Sequence, residues 1–157
     1  MLTRTTIAAI RLLIHLGAQS TGRPASMRPA AAQLGESPTY LAKIARELVK
    51  AGILRAHRGV SGGVLLENDP KQVSMLEIVE ACQGHIYGDF CEPQDDLELA
   101  CAFHQANAQL HEATIRILSK WTLADLIRCP APAGSRVGKA SCWLQSPQRP
   151  HATSAKG

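Results

Sequence analysis

The sequence predicts a mainly α-helical chain that carries one small β-hairpin, and three observations predict it. Apolar residues recur at steps of three and four through most of the first 82 positions and again from about residue 97 to 120. Helix-start and helix-stop residues punctuate those runs: Ser37-Pro38, Ser74-x-x-Glu77, Gly35 and Gly52. One stretch breaks the period. Ile53 to His57 and Val64 to Leu66 read as short strands around the turn Arg58-Gly59-Val60-Ser61-Gly62-Gly63.

Taken in order, Thr3 caps a first helix that runs to about Leu16, with Ile7, Ile10, Leu13 and Ile14 on one face and Gly17 at its end. Gln19 to Ala25 is a polar loop. Arg28 to Leu34 forms a short helix with Pro29 in its first turn and Gly35 at its end. Ser37 is the N-cap of the next helix and Pro38 its first residue, where a missing N–H costs nothing. Leu41, Ile44, Ala45 and Leu48 make its buried stripe; Thr39, Ala42, Lys43, Arg46 and Lys50 occupy the other face, with Glu47 the acidic exception. Two helices joined by a brief turn and followed by a basic, glycine-tipped hairpin compose a winged helix-turn-helix, with Pro38–Ala51 as recognition helix.

Past the wing, Asn68-Asp69-Pro70 is a turn and Ser74 with Glu77 a capping box. Met75, Ile78, Val79 and Cys82 share one face of the helix that follows, which makes Cys82 a small core residue. An acidic loop containing Cys91 leads to a long helix, from about Leu97 to Lys120. Its apolar positions Leu99, Phe103, Ala106, Leu110, Ala113 and Ile117, with Trp121 beyond, form a near-heptad seam. The length of that seam favours a helix from a second copy. Thr122 to Leu126 is a short terminal helix, and from Cys129 the Pro-, Gly- and Ser-rich chain is expected to be disordered. The organisation is thus residues 1–82 as winged domain, 83–98 as cysteine-bearing loop, 99–128 as dimerisation and terminal helices, and 129–157 as tail.

Charge is distributed unevenly. Residues 1–70 carry nine Lys/Arg against four Asp/Glu, residues 71–128 four against nine, and residues 129–157 four against none. The basic excess therefore accompanies the helix and wing, where a phosphate backbone needs it. Six aromatic residues are too few for a base-stacking single-strand binder. The apolar run from Ile7 to Leu16 is broken by Arg11 and His15 and lacks a cleavage site, and nothing approaches a membrane span. Five cysteines, an odd number, suit a reducing compartment and thiol or metal chemistry, so the expected location is cytoplasmic.

These features predict a homodimer that reads double-stranded DNA. Ser37, Thr39, Tyr40 and Lys43 lie near the recognition-helix N-terminus, where base edges are reached; Arg58, Gly59, Ser61 and Gly62 form the wing that meets the backbone or minor groove. Ala42 is short enough to meet a thymine methyl and too short for a bidentate hydrogen bond. A winged-helix protein-interaction module is the alternative; it predicts weak, sequence-blind DNA binding. An enzyme is disfavoured, since no C-x-x-C motif or nucleophile–base pair can be placed.

The chain resembles the IscR/NsrR/BadM family of bacterial winged-helix regulators, the Rrf-two type. The likeness rests on Leu2-Thr3 and Ala9-Ile10-Arg11, on Ser37 to Leu41 and Leu48 to Leu54, on Arg58 to Leu66, on Cys101-x-x-His104, and on Thr122 to Leu126. It implies a homodimeric transcription regulator, often one whose DNA affinity is set by an iron–sulfur cluster. Many members carry three cysteines and a histidine before the dimer helix. Here Cys91, Cys101 and His104 match, the middle cysteine is missing, and the first-helix position that supplies an acidic ligand in some members is Ile7.

Three assignments compete for Cys91, Cys101 and His104: a 2Fe–2S or similar cluster; a thiol switch or another metal such as zinc; and a relic site in a cluster-free regulator. His104 lies one turn after Cys101, so the two can face one metal. The acidic surroundings oppose thiolate formation, which favours a metal over a bare thiol sensor.

Overall fold

Thr3 opens α1 (Arg4–Gln19), its hydroxyl accepting from the Thr6 N–H at 3.2 Å in the computed structural model, which describes residues 2–19, 22–59, 62–86 and 101–128. The helix does not end at Gly17. It continues to Gln19, and the space a Cβ would take at Gly17 is filled by the Ile127 side chain. That glycine permits a close helix approach; it does not cap.

α2 (Met27–Leu34) ends at Gly35, whose φ of 67° is the left-handed conformation a C-cap wants. α3 (Pro38–Lys50) begins with the Ser37 hydroxyl accepting from Tyr40 N–H at 3.2 Å. It closes in a Schellman motif: Ile53 N–H donates to Leu48 O and Gly52 N–H to Val49 O, each at 3.0 Å, with Gly52 at φ 72°. The chain then turns directly into the antiparallel hairpin of β1 (Leu54–His57) and β2 (Gly63–Leu66), in which Leu54 faces Leu66 and His57 faces Gly63. Ala25, expected in a polar loop, adds a one-residue third strand: its N–H donates to Val64 O at 2.9 Å and its carbonyl accepts from Val64 N–H at 3.0 Å.

The predicted capping box opens α4 (Met75–Gln83), with Glu77 N–H on the Ser74 hydroxyl and Ser74 N–H on the Glu77 carboxylate. The long helix, α5 (Ala102–Lys120), starts later than the sequence suggested. Cys101 is its N-cap, extended at ψ 155°, so the helix cannot run through it. Leu99 and most of the cysteine-bearing loop lie outside the described residues, as does the tail from residue 129. α6 (Leu123–Arg128) returns the chain to the core through Leu123, held where Leu123 N–H reaches Val73 O and Met75 N–H reaches Trp121 O, both at 2.8 Å.

One core joins these elements. Leu12 and Leu13 of α1, Leu41, Ile44 and Leu48 of α3, Leu54 of β1, Ile78 of α4 and Leu123 are all buried. α1 packs on α3, α4 and α6, and the apolar stripe of α3 fills the other side. α5 stands apart. None of its residues is buried, and among the described elements it packs on α4.

Candidate nucleic-acid interface

Burying Leu41, Ile44, Ala45 and Leu48 turns Thr39, Ala42, Lys43, Arg46 and Lys50 outward, because residues three and four apart share a helical face. Lys50 is held by Glu47 at 3.1 Å. Among the described residues, Lys43 and Arg46 enter no ion pair, nor does exposed Arg28 at the start of α2. Arg46 and Arg28 therefore extend the candidate set. Arg46 was legible as the residue one turn beyond Lys43; Arg28 needed the packing of α2 on α3.

Tyr40 is placed differently from its neighbours. It is half-buried against the core, its hydroxyl donates to Thr5 Oγ1 at 3.4 Å, and the Arg4 guanidinium lies 5.9 Å from its ring centroid. Its side chain ties the recognition helix to α1. Glu36, in the turn between α2 and α3, adds to that tie through Arg4 at 3.6 Å and the mostly buried Arg11 at 3.8 Å. Ser37 is occupied as the cap.

At the wing, Arg58 and Gly59 are exposed, and Gly59 holds φ at 112°, a conformation that favours glycine. Gly62 N–H closes the tip on Gly59 O at 2.9 Å; a Cβ at Gly62 would lie 2.7 Å from His57 O. Ser61 lies outside the described residues. The hairpin thus presents bare backbone beside one guanidinium.

Of the candidate metal donors, Cys101 is an exposed free thiol that makes no capping hydrogen bond, and His104 is half-buried one turn later. Cys91 lies outside the described residues. Among the described residues no three His, Cys, Asp or Glu side chains gather as a metal site. Burial first, and then the negative charge of Glu47, push the Cys82 thiol up to about 11, which opposes a free thiolate there. His111 is half-buried and bonded to Ile86 O at 2.6 Å.

The seam of α5 faces solvent in the single chain. Phe103 is 65% exposed, Leu110 67%, Ile117 56% and Trp121 48%, whereas His104, His111, Ile115 and Leu118 are half-buried on the other side.

A family model described as Rrf2, an iron-dependent transcriptional regulator, matches residues 2–129. The HTH-type transcriptional regulator NsrR of Geobacillus kaustophilus is 32% identical over 136 residues, covering 80% of this chain and 88% of the relative. Among solved structures, CymR, the global cysteine regulator of B. subtilis, superimposes with a TM-score of 0.67 at 23% identity, covering 83% of this chain and 98% of that one. T. potens IscR gives 0.67 at 19% identity, covering 92% and 95%. No helix among the described residues is long and apolar enough to cross a membrane.

Proposed function

The chain belongs to the Rrf2 family of transcriptional regulators, and on that premise we propose that it is a cytoplasmic homodimer that reads a two-half-site operator in double-stranded DNA. It is a regulator and not an enzyme. The observation that carries the reading is electrostatic: Lys43 and Arg46 on α3 and Arg58 on the wing point outward with no acidic partner among the described residues. Cations left unpaired beside a capped helix and a bare glycine turn suit a phosphate backbone.

In this reading the N-terminal half of α3 enters the major groove, with Thr39, Ala42 and Lys43 at base edges. Arg46 and Arg28 take phosphates, and Arg58 with Gly59 and Gly62 reaches the flanking backbone or minor groove. Tyr40 sets the angle of the helix against α1. The exposed seam of α5 pairs with its copy in a second chain, which places two recognition helices on one face of the duplex.

Control is assigned to Cys101 and His104 with Cys91. The two described donors fit a metal or cluster, since the thiol is exposed, is not consumed by the helix cap, and precedes the imidazole by one turn. A bound iron centre would supply redox sensitivity there. Cys101 would then hold it at the first residue of the dimer helix.

The test is selection of an operator from random duplexes, followed by binding at several salt concentrations. A preferred two-fold site with a steep salt slope supports the reading. Equal, weak affinity for every duplex would support a protein-interaction module instead.

A further inference from the structure

The DNA-binding domain meets α5 at a helix that has no buried residue. Its side chains are at most half-buried where it packs on α4. At that join, the Ile86 peptide is held from both sides. Ile86 N–H donates to Glu80 Oε1 of α4 at 3.4 Å, and Ile86 O lies 2.6 Å from His111 Nε2 in the middle of α5. A carbonyl only accepts, so the His111 ring carries its proton on Nε2 and donates. His85 Nδ1 lies 3.4 Å from the same Glu80 oxygen, which anchors the acidic side of the clamp. Behind it, the Gln83 side-chain oxygen accepts from Thr3 N–H at 2.8 Å and from the buried Thr6 hydroxyl at 2.6 Å, fastening the end of α4 to α1.

We propose that His111 is the positioning residue that sets the half-site spacing this protein reads, by fixing α5 against the exit of α4 through Ile86. The inference rests on the dimeric reading above and deepens it. In a dimer joined by α5, the seam fixes each α5 relative to its mate. The distance between recognition helices then depends on how rigidly each winged domain is held to its own α5. The end of α5 is tied where Trp121 O accepts from Met75 N–H at 2.8 Å, and one short, half-buried hydrogen bond from His111 adds the restraint at its middle. No DNA-contacting side chain is involved, because His111 and the outward face of α3 lie on different elements.

The test compares full-length wild type, His111→Ala and His111→Gln on duplexes carrying the selected half-sites at the preferred spacing and at spacings changed by about two base pairs. The glutamine amide can still donate to the Ile86 carbonyl. The wild type should discriminate between spacings about fivefold or more, His111→Ala should lose most of that discrimination while staying a dimer with native circular dichroism, and His111→Gln should recover it. Equal discrimination by wild type and His111→Ala overturns the role of His111 and leaves the dimer reading standing. A wild type indifferent to spacing overturns the dimer reading itself. If His111→Ala does not fold, His111→Gln decides: discrimination retained supports the hydrogen bond, and discrimination lost from a folded dimer overturns it.

Discussion

Arg55 and Glu67 pair at 3.1 Å across the root of the wing, which leaves Arg58 at the tip as the guanidinium of the hairpin with no acidic partner among the described residues. The two arginines differ by three positions and should differ in function. Arg58→Ala should lower operator affinity and reduce the slope of log affinity against log salt by about one, as loss of one phosphate contact requires. Arg55→Ala frees an acid near the DNA and should change the slope far less. Matching slopes for wild type and Arg58→Ala would remove the wing from the interface.

The seam of α5 makes an equally direct prediction. Leu110 sits at its centre and is 67% exposed in the single chain, so Leu110→Asp costs nothing in the monomer fold but places two carboxylates in a paired seam. Sedimentation should show a monomer with native circular dichroism, and operator affinity should fall by about tenfold or more as the second half-site is lost. A variant that sediments as the wild type does would place the interface elsewhere.

Gly63 and Gly17 are both crowded, but by different neighbours. A Cβ at Gly63 would overlap the Ala25 carbonyl, with Ala25 C at 2.6 Å, and the Ala25–Val64 bridge cannot shift without breaking its two hydrogen bonds. At Gly17 the obstacle is the tip of the Ile127 side chain, which can rotate, and alanine gains helix propensity there. Gly63→Ala should therefore cost about 1–3 kcal/mol and several degrees of melting temperature, and Gly17→Ala less. Thermal melts of the two variants give the order directly.

The same two glycines mark what the sequence could and could not disclose. Local rules placed the caps at Thr3, Ser37 and Ser74, the Schellman end at Gly52 and the hairpin, because each depends on residues within one turn. Gly17 looked like a stop because its contact, Ile127, lies more than a hundred residues away. Ala25 as a strand, Tyr40 turned onto Arg4 and Thr5, and His111 donating to Ile86 are likewise long-range pairings that no periodicity encodes. Of the candidate site, the outward face of α3 was legible as the complement of its apolar stripe. Which cations on it are already neutralised was not.

Cys82 gives a pH prediction. Its thiol is pushed from 9.0 to about 11 by burial and by Glu47, so the folded chain keeps its proton where the unfolded chain loses it. Between those two values the native state binds more protons, and stability must fall as pH rises; below about 9 the contribution is fully present. Wild type should lose more stability than Cys82→Ala across that window. In iron-free protein at neutral pH iodoacetamide should modify exposed Cys101 well before Cys82, as peptide mass spectrometry would show; equal rates would contradict the half-buried thiol of Cys82.

The remaining prediction concerns control. Cys101 is the N-cap of α5 yet gives no side-chain hydrogen bond to the helix, unlike Ser37 and Ser74, which cap α3 and α4 through their hydroxyls. A thiol is a poor cap, and a serine or aspartate there would stabilise the helix by about 1 kcal/mol. Cysteine at this position makes sense if its sulfur serves a ligand, with His104 one turn along able to face the same ion. Because α5 continues from that point into the seam, binding at its first turn would act on half-site geometry without touching DNA. Protein purified without oxygen should contain iron and absorb visible light, and Cys91→Ala and Cys101→Ala should each abolish both, along with any oxygen-dependent change in operator affinity. Cys82→Ala should leave the iron in place, since the Cys82 side chain packs against the core. Colourless, iron-free wild type whose operator affinity is the same before and after oxidation would remove the cluster and the thiol switch together, leaving a regulator governed by something other than these cysteines.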